Sequence, residues 1–128
     1  MLEKGLVAYL ENHAGLNALI AGRVYPLRLK QNATLPAVVY QRITTAPTYS
    51  QEGDSHLDEI QMQFACWGST LLTVKQIAEE LRVALSGFAG TMGTETVGGS
   101  FLINQHSDDD PDTGLSREIV EFSMWHNS

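Results

Sequence analysis

Residues 59–66 read EIQMQFAC, and an apolar side chain recurs at every second position along this stretch. A period of two places successive side chains on opposite faces of a β-strand. We therefore predict a strand with one buried face, as in an antiparallel sheet that helices cover on one side. The buried face comprises Ile60, Met62, Phe64 and Cys66, and the other face Glu59, Gln61, Gln63 and Ala65.

The residues after this strand predict a helix. Gly68 ends the strand, and Ser69 or Thr70 supplies a hydroxyl that can cap a helix N-terminus. Between residues 74 and 88, apolar side chains recur at spacings of three and four. This spacing is typical of a helix that packs one face on a core.

The N-terminal part predicts another helix, because leucine recurs at every fourth position over residues 2–10. Gly5 weakens this helix by about 1 kcal/mol relative to Ala. Residues 16–20 predict a further short turn of helix, and Gly22 suits a left-handed cap after it. Residues 23–25 are predicted to be extended.

A second strand is predicted at residues 37–44, after a loop at residues 27–35, because β-branched residues and Tyr are dense there. A polar connection at residues 46–55 follows, and it is long for a link between hairpin strands. Long connections are often functional, so this one is a candidate contact with a partner, with plain disorder as the alternative. Its candidate contact residues are Thr48, Tyr49, Glu52 and Asp54.

The C-terminal part predicts three more strands. Residues 92–97 and 100–104 are predicted to form a hairpin, with Gly98 and Gly99 in its tight turn. Residues 117–126 predict the last strand, because apolar side chains alternate there.

The order of these elements defines the expected fold. Strands and helices do not alternate regularly, so a doubly wound parallel sheet is disfavoured. A chain of 128 residues fits one domain with its own core. We predict an α+β fold, with two helices packed on a mainly antiparallel sheet, in a single domain over residues 1–128.

The charge of the chain is acidic and unevenly distributed. The formal net charge of -7 argues against a general nucleic-acid binder, which needs a basic face. Between Asn12 and Gln51 there is no Asp or Glu, and the Lys and Arg residues there give a charge of +4. The rest of the chain carries -11, the difference between -7 and +4. The basic residues are Arg23, Arg28, Lys30 and Arg42.

The acidic stretch SDDDPDTGL, residues 107–115, resembles the start of a calcium-binding loop. However, Thr113 occupies the position of the sharp-turn Gly and Ile119 that of the bidentate Glu, and both flanks are predicted strands. We therefore predict no metal site. The stretch is interpreted as a solvated turn before the last strand, with Gly114 free to take a positive φ.

Other residues that could carry chemistry lack the required partners. Cys66 lies on the apolar face of a strand, which predicts a buried and unreactive thiol. No Gly-x-Ser-x-Gly elbow or phosphate loop occurs. The sequence thus predicts no enzyme and no cofactor. The histidines are expected at the surface and not as metal ligands; they are His13, His56, His106 and His126.

A single cysteine excludes an intrachain disulfide and favours a reducing, intracellular environment. The first thirteen residues carry charges among their apolar residues, unlike a secretory signal. No apolar run is long enough to cross a bilayer, so no membrane contact is expected.

Several segments, in order, resemble the tail-completion, or tail-terminator, proteins of long-tailed bacteriophages and prophages. They are LIAGRVYP at residues 19–26, LPAVVYQRI at 35–43, QFACW at 63–67, TGLSR at 113–117 and FSMWH at 122–126. The resemblance covers nearly the whole chain and implies an α+β virion protein without catalysis.

The resemblance implies a ring of identical subunits, typically a hexamer, at the head-proximal end of the tail. Such a ring stops growth of the tail tube and joins the neck of the head, and DNA passes through it without specific binding. The implied partners are other copies of the chain, the tail-tube protein and a head-completion or neck connector protein. The implied location is the virion, after assembly in the host cytoplasm. The alternatives are another head–tail connector or neck component, and a small ligand-binding module.

A ring uses heterologous contacts, in which one face of a subunit meets a different face of the next. We therefore expect Arg28, Lys30 or Arg42 to approach acidic residues between positions 108 and 121 of a neighbour. Alternatively, the acidic stretch faces the channel, where carboxylates repel DNA phosphates. The acidic candidates are Asp108, Asp109, Asp110 and Asp112.

Overall fold

The computed structural model describes residues 2–29, 34–50, 53–110 and 114–127. Three helices pack on one six-stranded sheet. The helices are α1 (Leu2–Glu11), α2 (Ala14–Ile20) and α3 (Leu71–Leu85). The strands are β1 (Val24–Pro26), β2 (Ala37–Ser50), β3 (Gly53–Gly68), β4 (Gly90–Met92), β5 (Glu95–Asp110) and β6 (Leu115–Asn127).

The sheet has the order β1-β2-β3-β6-β5-β4. Among the described strands, only β1 and β2 pair in parallel, and every other neighbouring pair is antiparallel. The mixed α+β fold on a mainly antiparallel sheet is as predicted, but the described residues form three helices where two were predicted. Among the described residues, no helix is long and apolar enough to span a membrane.

The core lies between the helices and one face of the sheet. The alternation that predicted β3 is confirmed, because Ile60, Met62, Phe64 and Cys66 are all fully buried. Phe64 meets Phe122 of β6 edge to face, with ring centroids 6.0 Å apart. Helix α3 covers this face with Val74, Ile77, Ala78, Leu81, Ala84 and Leu85, and the Thr70 hydroxyl caps its N-terminus by accepting from the Thr73 N–H at 3.2 Å.

Gly5 explains how α1 reaches the sheet. A methyl group at this position would overlap the carbonyl oxygen of Met92 at the end of β4. The missing side chain therefore lets the helix backbone touch the strand backbone, which offsets the lower helix propensity of Gly.

The predicted connection at residues 46–55 is wrong, because β2 continues to Ser50 and β3 begins at Gly53. Tyr49 pairs with Asp54 across this hairpin. Pairing of β3 with β6 begins only at Leu57, so the outer part of the hairpin extends past the sheet as a two-stranded ribbon, here called the arm. A ribbon with no core beneath it needs no apolar alternation, and its polar sequence therefore resembled a loop.

The predicted hairpin turn at Gly98 and Gly99 is also wrong. Strand β5 runs through both glycines, which lie at a bulge where its register against β6 shifts between Val97 and Gly99. The chain turns earlier, between β4 and β5, where Gly93 has a φ of 62°. The pairing with β6 thus overrides the local turn preference of Gly-Gly.

The acidic stretch also differs from the prediction, because Asp108, Asp109 and Asp110 belong to β5 and not to a turn. Gly114 does take a positive φ, of 72°, before β6 begins. The β5–β6 hairpin closes at the end of the sheet where Gly68 pairs with Ser116. The arm leaves from the opposite end.

Candidate assembly surfaces

The first surface is the outer edge of β2. Strand β1 covers this edge only from Val38 to Tyr40, and the Leu27 N–H then donates to the Tyr40 carbonyl at 2.8 Å. Within the described part of the chain, residues 41–50 pair with β3 alone. We call this segment the β2 open edge. A row of unpaired backbone donors and acceptors is a template for pairing with another strand.

The second surface is the outer edge of β5, on the other side of the sheet. Strand β4 covers residues 95–97, and the Gly87 N–H donates to the Ser100 carbonyl at 2.8 Å. From residue 101 to 110, the described strands provide no neighbour other than β6. We call this segment the β5 open edge.

Large apolar side chains are exposed on both open edges. Ile43 is 44% exposed at the bulge in β2 between Arg42 and Thr44. On the β5 open edge, Phe101 is 53% exposed and Ile103 is 49% exposed. Exposed apolar groups beside unpaired strand edges mark surfaces that gain from a partner.

The predicted basic residues have different environments. Arg42 forms an ion pair with Glu3 of α1 on the covered face of the sheet, so its charge is already used within the chain. Arg28 is exposed just after β1, and among the described residues it makes no ion pair. Lys30 lies outside the described residues. Arg28 is therefore the basic candidate that remains available to a neighbour.

Asp108 also forms an ion pair within the chain. Its carboxylate accepts from the Arg117 guanidinium opposite it on β6, and Arg117 lies over the Trp67 ring, 5.1 Å from its centroid. The Arg117 hydrogen bond, aided by the backbone N–H of Asp109, lowers the pKa of Asp108. Asp109 is exposed, and it is the acidic candidate that stays available.

The remaining candidates lie at the two hairpin ends. Thr48, Tyr49 and Asp54 belong to the arm, where only the backbone is described. The same holds for Asp110 at the end of β5. Glu52 and Asp112 lie outside the described residues. The arm and the acidic hairpin occupy opposite ends of the sheet, so the predicted residues form two separate surfaces.

Sequence reasoning missed Glu118, which is only 2% exposed. Gln105 donates to its carboxylate at 2.7 Å and the Ser107 hydroxyl donates to its other oxygen. Burial tends to raise the pKa of Glu118, but these hydrogen bonds outweigh it and the pKa is lowered. All three residues lie on paired strands, so the network fixes the register of β5 against β6. The sequence could have revealed this network only through the full length of β5, because Gln105 and Ser107 lie beyond the strand predicted at residues 100–104.

One face of the sheet carries no helix among the described residues, and this helix-free face is polar at its centre. Gln63 lies opposite Glu121, and the Gln61 amide donates to the Glu121 carboxylate at 3.0 Å. A small apolar cluster occupies one end of this helix-free face, near Arg117 and Asp108. It contains Val39, Ala65 and Ile119, with Tyr25, Leu29 and Trp67 packed against them.

Three further features bear on ligand binding and reactivity. An open groove of about 330 Å³ lies between α2 and α3, lined by Gly15, Leu19, Gln76, Glu79 and Glu80. Among the described residues, no group of His, Cys, Asp or Glu side chains is arranged to hold a metal ion. Burial raises the pKa of the Cys66 thiol well above its ordinary value, which keeps this thiol unreactive.

Helices cover one face of this mixed sheet, and its open edges carry exposed apolar and charged residues. These features define the class of proteins that assemble with other chains. The family model "Tail completion protein gp17" matches residues 4–127, and the chain belongs to this family. A comparison with curated protein sequences gives no match.

The fold is similar to that of a chain in the solved structure "Virion of native gene transfer agent (GTA) particle". The TM-score is 0.75 at 16% sequence identity, over 94% of this chain and 90% of that one. The resemblance to tail-completion proteins is thus confirmed. The chain is a structural tail protein, and its place is the virion tail.

Proposed function

We propose that the chain forms a ring, with six subunits, at the head-proximal end of a long tail. There it ends the growth of the tail tube and joins the tail to the neck of the head. Its work is structural and involves no catalysis. The observation that carries this proposal is the family match over residues 4–127.

The distribution of charge supports a ring. Arg28 is exposed beside β1, at one edge of the sheet, and Asp109 is exposed near the end of β5, toward the other edge. A ring needs two different, complementary surfaces on each subunit. Opposite charges on opposite edges meet that need and orient each copy against the next.

The helix-free face suits a channel that lets DNA pass. Its centre carries amides and carboxylates, including Gln61, Gln63 and Glu121. Carboxylates repel phosphates, and amides supply no positive charge to hold them. We propose that this face lines the channel, and that DNA passes it without specific binding.

The test is tail assembly in cells that supply every virion protein except this chain. We expect tails of irregular and excessive length that carry no heads, because nothing stops the tube or joins the neck. Electron microscopy of the particles measures both properties, and supplying the intact chain from a second gene should restore them. Tails of normal length that merely lack heads would contradict the tube-ending role and favour another connector or neck component. Normal, fully joined particles would contradict both.

A further inference from the structure

The two open edges suggest how one copy contacts the next. We propose that the β5 open edge of one copy pairs in antiparallel fashion with the β2 open edge of its neighbour, so that the sheets join into one continuous sheet around the ring. This inference rests on the ring proposed above, and it adds the surface and the partner strand.

Strand direction permits this pairing. From β2 through β3 and β6 to β5, each strand runs antiparallel to the one before it. Strand β5 therefore runs opposite to β2. A neighbour in the same orientation places its β2 antiparallel to β5, which continues the alternation without turning either subunit over.

The positions of the open edges suit a closed ring. The β2 open edge lies toward the arm, whereas the β5 open edge lies toward the acidic hairpin at the other end of the sheet. Joining them requires each copy to shift along the strand direction relative to the last. Strands that tilt against the axis of a closed barrel have this stagger.

The covered parts of the edges limit the register. Strand β1 of the neighbour occupies the edge of β2 up to Tyr40, so the end of β5 reaches no further than Gln41. Residues 105–110 then lie beside residues 41–46 of the neighbour. Pro47 has no N–H to donate, which ends the ladder on that side.

This register gives the exposed groups partners. Asp109 comes close to the segment that carries Arg28 of the neighbouring copy, so the two available charges meet. Phe101 and Ile103 lie beside the arm of that copy, which removes apolar surface from water. The contact therefore combines backbone pairing, charge complementarity and apolar burial.

Bulges make the pairing selective. The β2 open edge contains two, between Arg42 and Thr44 and between Pro47 and Tyr49, and the β5 open edge contains one, between Leu102 and Asn104. A bulge bends and twists its strand, which protects an edge against indiscriminate pairing. A partner strand with a matching bend can still pair, and the neighbour supplies one.

Disulfide cross-linking within assembled tails tests the contact. Ala46 and His106 are both exposed and both lie on the helix-free face, because Ala46 is opposite Glu59 and His106 is opposite Ile119. Tails are assembled with the full chain carrying Ala46→Cys and His106→Cys, and a second variant pairs Ala46→Cys with Asp108→Cys to allow for a shift of register toward the arm. Mild oxidation should give a ladder of covalent dimers, trimers and larger species from at least one variant.

Three controls separate the possible outcomes. Each single variant should give no ladder, because two identical edges do not meet. Ala46→Cys combined with Val83→Cys should also give none, because Val83 is 63% exposed on α3, away from the sheet edges. Rings visible by electron microscopy without a ladder from either edge pair would overturn the inference and leave the ring intact. Tails whose ends lack a ring of this chain would instead overturn the proposed function.

Discussion

Glu118 is a carboxylate held on the covered face of the sheet, opposite the buried Cys66. A buried charge is tolerated only when hydrogen bonds replace its water, and Gln105 and Ser107 supply them. Both donors lie on β5, while Glu118 lies on β6. The network therefore connects the strand that carries the acidic residues to the core strand beside it.

Glu118→Gln should lower the free energy of unfolding by about 2 kcal/mol at pH 7, because it removes charge-assisted hydrogen bonds from a buried site. The pKa of Glu118 is lower in the folded chain than in the unfolded chain. Its contribution is therefore fully present above the unfolded pKa and is lost as the pH falls through the folded pKa. The difference between variant and wild type should shrink in acid, as measured by urea unfolding at a series of pH values.

Glu79→Gln is the matched control, because Glu79 is exposed on α3 and, within the described part of the chain, its one ion pair is with Arg82 at 3.6 Å. It should change the free energy of unfolding at pH 7 by less than about 0.5 kcal/mol. A difference between Glu118→Gln and wild type that stays constant down to low pH would contradict the role given to this carboxylate.

At the level of residues, the sequence shows which charged side chains exist. It does not show which of them are free of partners within the chain and can therefore bind a neighbour. The basic segment and the acidic run were both evident, yet Arg42 and Asp108 prove to be neutralised by Glu3 and Arg117. These partners come from α1 and from the paired strand β6. Pairs of this kind depend on strand register and helix packing, which one sequence does not define.

At the level of elements, the contact of α1 with β4 depends on the missing side chain of Gly5. In an isolated helix, Gly5→Ala would stabilise the helical state by about 1 kcal/mol. Here we expect the opposite sign, a loss of about 1–3 kcal/mol, because the new methyl group overlaps the Met92 backbone. Chemical unfolding followed by circular dichroism measures the change.

Gly98→Ala is the control for this substitution. Its nearest contact would be the carbonyl oxygen of Trp125 at 3.9 Å, which is an ordinary van der Waals distance. We expect a change within about 0.5 kcal/mol. A gain of stability in Gly5→Ala would show that α1 does not pack against β4 as described.

Periodicity predicted the elements that face the core. Strand β3 and helix α3 each bury one continuous apolar stripe, so the spacing of apolar residues in their sequences matches the face that packs on the core. The arm and most of β5 lack such a stripe, because these strands lie at an edge or beyond the sheet. Their backbone pairing holds them in place, and pairing leaves little trace in the identity of the side chains.

At the level of the whole molecule, the strand order places the basic N-terminal segment and the acidic C-terminal segment toward opposite edges. Arg28→Glu should therefore reduce the number of joined particles by about tenfold or more, because repulsion replaces attraction at every contact of the proposed ring. Adding Asp109→Lys to the same chain should restore assembly. Electron microscopy of particles assembled with each variant gives the count, and high salt during assembly should lessen the defect of Arg28→Glu.

Arg82→Glu provides the comparison, since Arg82 is exposed on α3, away from both edges. It makes the same change of charge and should leave assembly intact. Equal loss of joined particles in Arg28→Glu and Arg82→Glu would show that net charge and not edge pairing governs assembly. No rescue by Asp109→Lys would show that Arg28 and Asp109 do not meet across the contact.

The ordered motifs of the sequence were enough to predict the family, because they mark turns and strand ends that the fold requires. The assembly surfaces were not predictable to the same degree. They depend on which strands lie at the edges and how far each edge is covered, and both follow from the order β1-β2-β3-β6-β5-β4.

The two long hairpins leave the sheet at opposite ends, the arm at one and the acidic turn at the other. When copies join edge to edge, every arm projects from one rim of the ring and every acidic turn from the other. Such a ring has polarity, although all its subunits are identical. One rim can then recognise the finished tube while the other presents a chemically different surface to the head, so a single small chain distinguishes the two directions of the tail.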